Sequence, residues 1–436
     1  MPLDGIPAIG RLPAFPSNLS SLSAVDAPAL AVPLLLESAT TPEPAVAQAA
    51  ELPSIAGVEV NRSPAGRVED PRRENIKIWD AFLAQASRKR NPEELLQALR
   101  ASGGGPLQGE GRLVFVSQEP GFVAGSFNDW RGDATPLVSL GGGLFAADMR
   151  IGNDRRVSYK FVRNGVWRGD PLARWVEWDG IDTGGVGGFN SVAFSGRGAA
   201  LRDSELYRLP LFVSAALGNA REVFVQVPAQ YLERPSPLPL VILQDGNESL
   251  TRGRFDRGID AARAAGGLAP ALVAYVALHD QSERMQDYTF ATPGARAERY
   301  EKYIVAELLP RLEAAFLTPG KPEQRAIGGA SLGGLIAYRI ALDRPDIFAR
   351  ALSQSGSFQW AEERLISEVA ARRALAGRWY LDAGSDEHDN GVVAARMRAA
   401  LEAAGAAAIY VRDPEARHEW GDWAKRLPDA LAALLR

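Results

Sequence analysis

Arg325-Ala326-Ile327-Gly328-Gly329-Ala330-Ser331-Leu332-Gly333-Gly334-Leu335-Ile336-Ala337 decides the fold. Arg325 to Gly328 reads as a short buried strand, and Leu335 to Leu342 as a helix. Between them Gly329-Ala330-Ser331-Leu332-Gly333 is a G-x-S-x-G sequence. A strand that turns sharply into a helix holds the central serine on a strained backbone and presents its hydroxyl above a sheet. Gly329, Gly333 and Gly334 are small enough to let strand and helix pack closely around it. Ser331 is therefore the candidate nucleophile.

Outward from this turn, strand and helix signals alternate from Arg221 to the end. The expected strands are Val223–Val227, Leu240–Leu243, Leu272–Leu278, Arg325–Gly328, Ala351–Ser353, Trp379–Leu381 and Ala408–Val411. Helical patterns separate them at Ala297–Phe316, Leu332–Leu342 and Val392–Ala403. This predicts an α/β-hydrolase fold, a mostly parallel sheet covered by helices on both faces.

A serine nucleophile needs a base, and the chain has three histidines, His279, His388 and His418. His418 follows the last expected strand and precedes the final helix, where the order serine, acid, histidine places the base. His388 reads as solvated or supporting, and His279 as structural. The acid should follow Trp379-Tyr380-Leu381, where Asp386, Glu387 and Asp389 are all available and spacing alone does not choose. Its task is to orient the imidazole and stabilise its charged form. Two backbone N–H groups should form an oxyanion hole. Leu332 supplies one, and Asn247 in the turn Gln244-Asp245-Gly246-Asn247 the other. Arg252, Arg254 and Arg284 are candidate substrate-binding cations, with a solvated helix face as the alternative for the first two. For Arg284 the alternative is a loop brace to Asp280 or Asp287.

The N-terminal half has a different texture. The first 70 residues hold 10 of the 29 prolines, and Phe15 is the one aromatic before Trp79. Such a segment buries too little surface to offset its ordering entropy. Residues 1–72 are expected to be a disordered Pro/Ala-rich tail, either a passive extension or an export or docking device. Residues 73–105 read as helical, with Asn91-Pro92 as a cap, and Gly103-Gly104-Gly105-Pro106 as the stop. Residues 106–200 alternate short β-rich runs with turns and predict a small sandwich. Val123-Ala124-Gly125-Ser126-Phe127-Asn128-Asp129-Trp130, Tyr159-Lys160-Phe161-Val162 and Asp170-Pro171 resemble the early-set sandwich domains attached to starch- and glycogen-acting enzymes. Trp130, Trp167, Trp175 and Trp178 are candidates for a sugar or aryl platform, with core and interface packing as the alternative.

Composition excludes several classes. Lys plus Arg number 49 against 53 Asp plus Glu, a net charge of -4, which argues against a general nucleic-acid binder. There is no cysteine, hence no disulfide scaffold, thiolate metal site or cysteine nucleophile. No metal or cofactor is expected. No apolar run is long enough for a transmembrane helix, and Met-Pro-Leu-Asp-Gly has no basic leader region. A cytoplasmic location is the expectation, with export through the tail as the alternative. Oligomeric state is not legible.

Residues 201–436 resemble the esterase-D-type family, most closely its enterochelin (enterobactin) esterase branch. The resemblance rests on Leu243-Gln244-Asp245-Gly246-Asn247, on Asp280, Arg284 and Asp287 in their spacing, and on the serine turn itself. It extends to Leu352-Ser353-Gln354-Ser355-Gly356-Ser357-Phe358-Gln359-Trp360, and to His418, Trp423 and Leu427. Arg417 departs from it, standing where the family usually has glycine. The resemblance implies a metal-independent serine esterase and selects Glu387 as the acid, with Asp386 as the alternative. It implies a small-molecule ester substrate, the trilactone of a ferric catecholate siderophore, with Arg284 and neighbouring arginines meeting catecholate oxygens. Two other readings stay open: a carbohydrate-ester or feruloyl esterase with a glycan-binding sandwich, and a non-catalytic binding protein docked or exported through its tail.

Overall fold

The strands flanking Ser331 are apolar on both faces, which suits the interior of a sheet covered on both sides. Leu240–Leu243, Leu272–Val276 and Arg325–Ala330 are buried along their whole lengths. The structure, a computed structural model, describes residues 67–86, 90–181, 188–387 and 389–436. His388 and residues 1–66 of the expected tail lie outside the described residues.

From one edge the long sheet runs Ala407–Asp413, Arg378–Gly384, Arg350–Gln354, Arg325–Ala330, Leu240–Leu243, Leu272–Val276, Val223–Pro228 and Ser204–Arg208. The first six strands are parallel. Val223–Pro228 and Ser204–Arg208 join antiparallel. This mixed sheet is of the α/β-hydrolase type. Its order skips back at Leu240–Leu243, so the ends of several non-consecutive strands gather on one edge. The helix Leu332–Asp343 is buried along most of its length, wedged between the sheet and its outer helices.

The sheet does not stop at residue 200. Leu206 pairs with Val176 and Tyr207 with Trp175, so the strands Trp175–Trp178, Phe189–Phe194, Arg156–Arg163 and Phe122–Gly125 continue it. A second sheet of four strands spans Leu107–Gly109, Arg112–Ser117, Val138–Gly141 and Leu144–Arg150. Leu113, Phe115 and Ala147 of this sheet share an apolar cluster with Val123, Val157, Tyr159 and Ala193 of the long one. The expected boundary at 200/201 therefore crosses a continuous hydrogen-bonded ladder.

Lys77–Ala84 and Pro92–Ala101 form two helices, the second capped by Asn91, whose side chain accepts from Glu93 N. Ile78, Trp79, Phe82, Leu95, Leu96 and Leu99 cover the outer face of the four-stranded sheet. The expected tail boundary at 72 also moves. Val68 is buried in the main core, and its N–H donates to Ala315 O at 2.8 Å. Residues 67–72 thus belong to the folded body.

Candidate active site

Strand register brings the chemistry to one edge. Ala330 pairs with Gln354, Gln354 with Asp382, and Gly384 with Asp413. The segments that follow these pairs carry Ser331, Ser355, Glu387 and His418.

Ser331 has φ 58 and ψ -123, a conformation forced by the sharp turn into the helix beginning at Leu332. The glycines beside it are required by space. A Cβ at Gly329 would stand 2.7 Å from Gly333 C, and one at Gly334 would stand 2.3 Å from Ser353 Oγ. The Ser331 Oγ lies 3.0 Å from His418 Nε2 and 3.3 Å from Ser357 Oγ. His418 Nδ1 lies 3.0 Å from Glu387 Oε2. Asn390 Nδ2 also stands 3.0 Å from Nδ1, but an ionised carboxylate only accepts, so the contact with Glu387 favours the proton on Nδ1, which leaves Nε2 free to accept from Ser331. The His418 ring stands edge-on to Trp423, centroids 4.9 Å apart.

Glu387 is buried and accepts from Gly384 N–H at 2.8 Å, Ser355 Oγ at 2.6 Å and Asn390 Nδ2 at 3.1 Å. Burial alone would raise its pKa. The hydrogen bonds from His418, Ser355, Gly384 and Asn390 outweigh that and hold the carboxyl down at about 2. Asp386, the alternative acid, is exposed and accepts from its neighbour Ser385. Asp389 opens the following helix, Asp389–Ala403.

Ser355, Asn390 and Arg426 were not singled out from the sequence as site residues. Ser355 sits inside the Ser-Gln-Ser-Gly-Ser stretch, whose signal was present without a role. Arg426 is buried, 3.2 Å from Asp382 Oδ1 and 3.6 Å from Glu387 Oε1. Burial pushes the Asp382 carboxyl up to about 6 despite the neighbouring Arg426 cation.

On the other side of Ser331, Gln244 N donates to Gly328 O at 3.0 Å, setting the turn 244–247 beside that serine. Asp245 adopts φ 57 and precedes the short helix Gly246–Thr251. A Cβ at Gly246 would meet Tyr275 C at 2.6 Å, so glycine alone lets this backbone approach the sheet. The N–H groups of Asn247 and Leu332 both lie in the first turns of helices, where no acceptor stands one turn back.

Arg284 is committed to this turn. Its guanidinium grips both carboxylate oxygens of Asp245 at 2.8 Å, rather than Asp280 or Asp287, the partners weighed from sequence. Its Nη2 also lies 3.5 Å from Ala330 O. Asp280 instead caps the 3-10 turn Gln281–Glu283. Asp287 is buried against Arg221 at 2.5 Å and Arg296 at 2.8 Å. Arg252 is exposed, and Arg254 faces Asp256 at 3.8 Å. Among the described residues no hydrogen bond or ion pair joins either one to Ser331, His418 or Glu387. His279 sits at the surface with Nδ1 2.9 Å from Ala220 O.

The four tryptophans do not form one platform. Trp130 pairs with Trp167 at 6.4 Å, Trp175 with Tyr207 at 5.2 Å, and Trp178 with Phe189 at 5.7 Å. Among the described residues no helix is long and apolar enough to cross a membrane.

Comparison with known proteins gives matches that cover from about a third to three quarters of the chain. A curated relative, the iron(III) enterobactin esterase of Dickeya dadantii, is 29% identical over 241 residues, covering 51% of this chain and 53% of that protein. An endo-1,4-beta-xylanase/feruloyl esterase of Xylanibacter ruminicola is 29% identical over 151 residues, 34% of this chain and 20% of its own length. The chain thus spans about half the length or less of these two relatives. Among solved structures, the enterochelin esterase of Shigella flexneri aligns over 77% of this chain and 95% of its own, with TM-score 0.47 and 17% identity. The Esterase family model matches residues 214–434, just over half the chain and all of the residues around Ser331, Glu387 and His418, and the chain belongs to that family.

Proposed function

We propose that the protein is a serine carboxylic-ester hydrolase working through Ser331, His418 and Glu387. The observation that carries this reading is the bridge made by His418, with Nε2 3.0 Å from Ser331 Oγ and Nδ1 3.0 Å from Glu387 Oε2. Ser331 Oγ attacks the ester carbonyl while Nε2 takes its proton. Glu387 stabilises the resulting imidazolium. The Leu332 and Asn247 N–H groups hold the negative oxygen of the tetrahedral intermediate. The intermediate expels the alcohol, which leaves with the proton from Nε2. Water then repeats the sequence on the acyl-enzyme and frees the acid.

For the substrate we propose the ester bonds of a catecholate siderophore trilactone, on the resemblance around Ser355 and the relative from Dickeya dadantii. With Arg284 held by Asp245, recognition of an anionic ferric catecholate falls to other cations, and the exposed Arg252 supports that role better than Arg254. A second reading, a feruloyl or carbohydrate esterase, is favoured by the Trp130–Trp167 pair, where Trp130 is 36% exposed. The deciding experiment is chromatography of products from a ferric trilactone siderophore and from feruloylated and acetylated sugars, with Ser331→Ala as control. Release of dihydroxybenzoyl-serine fragments by the parent alone supports the first reading. Release of ferulate or acetate alone moves the assignment to the second, and turnover of nothing by either enzyme removes both.

A further inference from the structure

We infer that Ser355 is a positioning residue that locks the acid and the base of the site against each other, an inference that rests on the triad proposed above. A serine hydroxyl has one proton and two acceptor lone pairs, and it normally rotates to suit its surroundings. Here it has no such freedom. Trp423 Nε1 lies 3.0 Å from Ser355 Oγ and Arg426 Nη2 lies 2.9 Å from it. An indole N–H and a guanidinium only donate, so both lone pairs are taken. The remaining proton points to Glu387 Oε1, 2.6 Å away.

The backbone fixes the same residue. Ser355 has φ 48, in the left-handed region, and its N–H donates to Asp382 O at 2.9 Å. The next residue cannot carry a side chain in this arrangement, because a Cβ at Gly356 would stand 2.2 Å from Ser353 Oγ. A serine in this conformation is sterically costly, and the surrounding contacts hold it there.

Two separate elements of the site meet on this hydroxyl. Trp423 and Arg426 belong to the helix Trp420–Leu435, which begins just after His418. Glu387 lies just beyond the strand Arg378–Gly384. Gln354 Nε2 adds a further tie to Trp423 O at 2.9 Å. Ser355 and Gly384 N–H occupy Oε1 of Glu387, which leaves Oε2 for His418 and Asn390. Ser355 also takes the hydrogen bond of Arg426, whose Nη2 stands 3.6 Å from Oε1. Without the hydroxyl, the guanidinium closes on Glu387 and competes with His418 for it.

The test is a double-mutant cycle on the full chain, read with p-nitrophenyl butyrate. Ser355→Ala is expected to lower kcat by on the order of tenfold or more with KM within about twofold. In a Glu387→Ala background the same substitution should change kcat by less than about twofold, because locking acid to base has no effect once the acid is gone. Ser355→Cys, which keeps the volume and a weak donor, should recover part of the loss and covers the case in which the alanine variant does not fold. An equal factor in both backgrounds, or a parental kcat in Ser355→Ala, overturns the positioning role. If Glu387→Ala itself keeps parental activity, it is the triad that fails, and the two failures are told apart.

Discussion

At one end of the long sheet, Ser331, Glu387 and His418 meet although 87 positions separate the first from the last. At the other end, Trp130, Trp167, Trp175 and Trp178 lie much closer in sequence and go to separate places. The cause is strand direction. Parallel strands deliver their carboxyl ends to one edge, so the segments after Ala330, Gly384 and Asp413 converge whatever their separation. Antiparallel strands with alternating side chains scatter near neighbours. Trp175 and Trp178, three apart on one strand, face opposite sides and pack with Tyr207 and Phe189 respectively. The proposed chemistry rests on the first arrangement, and packing accounts for most of the second.

The largest effect should come from the converging edge. His418→Ala is expected to lower kcat for a small neutral ester by on the order of a thousandfold or more, since members of a triad fail as a unit. Glu387→Ala should lose about a hundredfold or more. Asp386→Asn, on the exposed side of the same loop, should stay within about twofold, as should His388→Ala. Steady-state rates on p-nitrophenyl butyrate check the ranking, and an Asp386 loss as large as that of Glu387 would break it.

Next in size is Arg284→Ala. Its ion pair with Asp245 holds the turn that carries Asn247, so the expected loss is on the order of tenfold on charged and neutral esters alike. A loss confined to an anionic siderophore would return Arg284 to direct substrate binding.

A smaller effect concerns acid. The Glu387 carboxyl is held near 2, below the ordinary 4.5 of a glutamate. A depressed carboxylate stabilises the fold above its unfolded pKa, and that contribution is lost as pH falls through the folded value. The stability difference between parent and Glu387→Gln should therefore be constant above about pH 5 and narrow between about pH 4.5 and pH 2. Denaturant unfolding across that range measures it, and a difference that widens on acidification would contradict the hydrogen bonds assigned to Glu387.

The smallest effects belong to the scattered region. Trp130→Ala should leave small-ester turnover within about twofold. Removal of residues 1–66 should leave both activity and thermal midpoint near the parent, because that segment is rich in proline and has one aromatic. Extending the cut through Arg72 removes buried Val68 and its bond to Ala315 O, and should lower the midpoint by a few degrees.

Much of the converging edge could be read from the chain. The glycines around Ser331 and the histidine after the last strand have local sequence signatures, and the largely parallel character of the sheet follows from the alternation of strand and helix signals. The acid loop offered three carboxylates that spacing alone did not separate; the family resemblance selected Glu387, and the fold sends Glu387 inward and leaves Asp386 exposed. Ser355 lay inside a Ser-Gln-Ser-Gly-Ser stretch that carried a signal but no role, and Arg426 had no signature, because a guanidinium in a helix reads as ordinary until the fold brings the two together. The partner of Arg284 was missed for the same reason, since Asp245 is 39 residues away. The pairing across residue 200 was not legible, because a β-ladder can cross a change of texture without leaving a mark in the local sequence. The boundary at residue 72 was misplaced because buried Val68 and the hydrogen bond from Gln108 to Pro71 O anchor a segment that has no aromatic residue.

The central claim is that Ser331 is the nucleophile, and covalent capture tests it most directly. The protein is treated with a fluorophosphonate and digested, and the modified peptide is located by mass spectrometry. The account predicts one adduct, on Ser331, formed in step with loss of esterase activity and absent from Ser331→Ala. It also predicts much slower labelling in His418→Ala. Ester hydrolysis that survives full modification of Ser331, or an inactivating adduct on another residue, would contradict it.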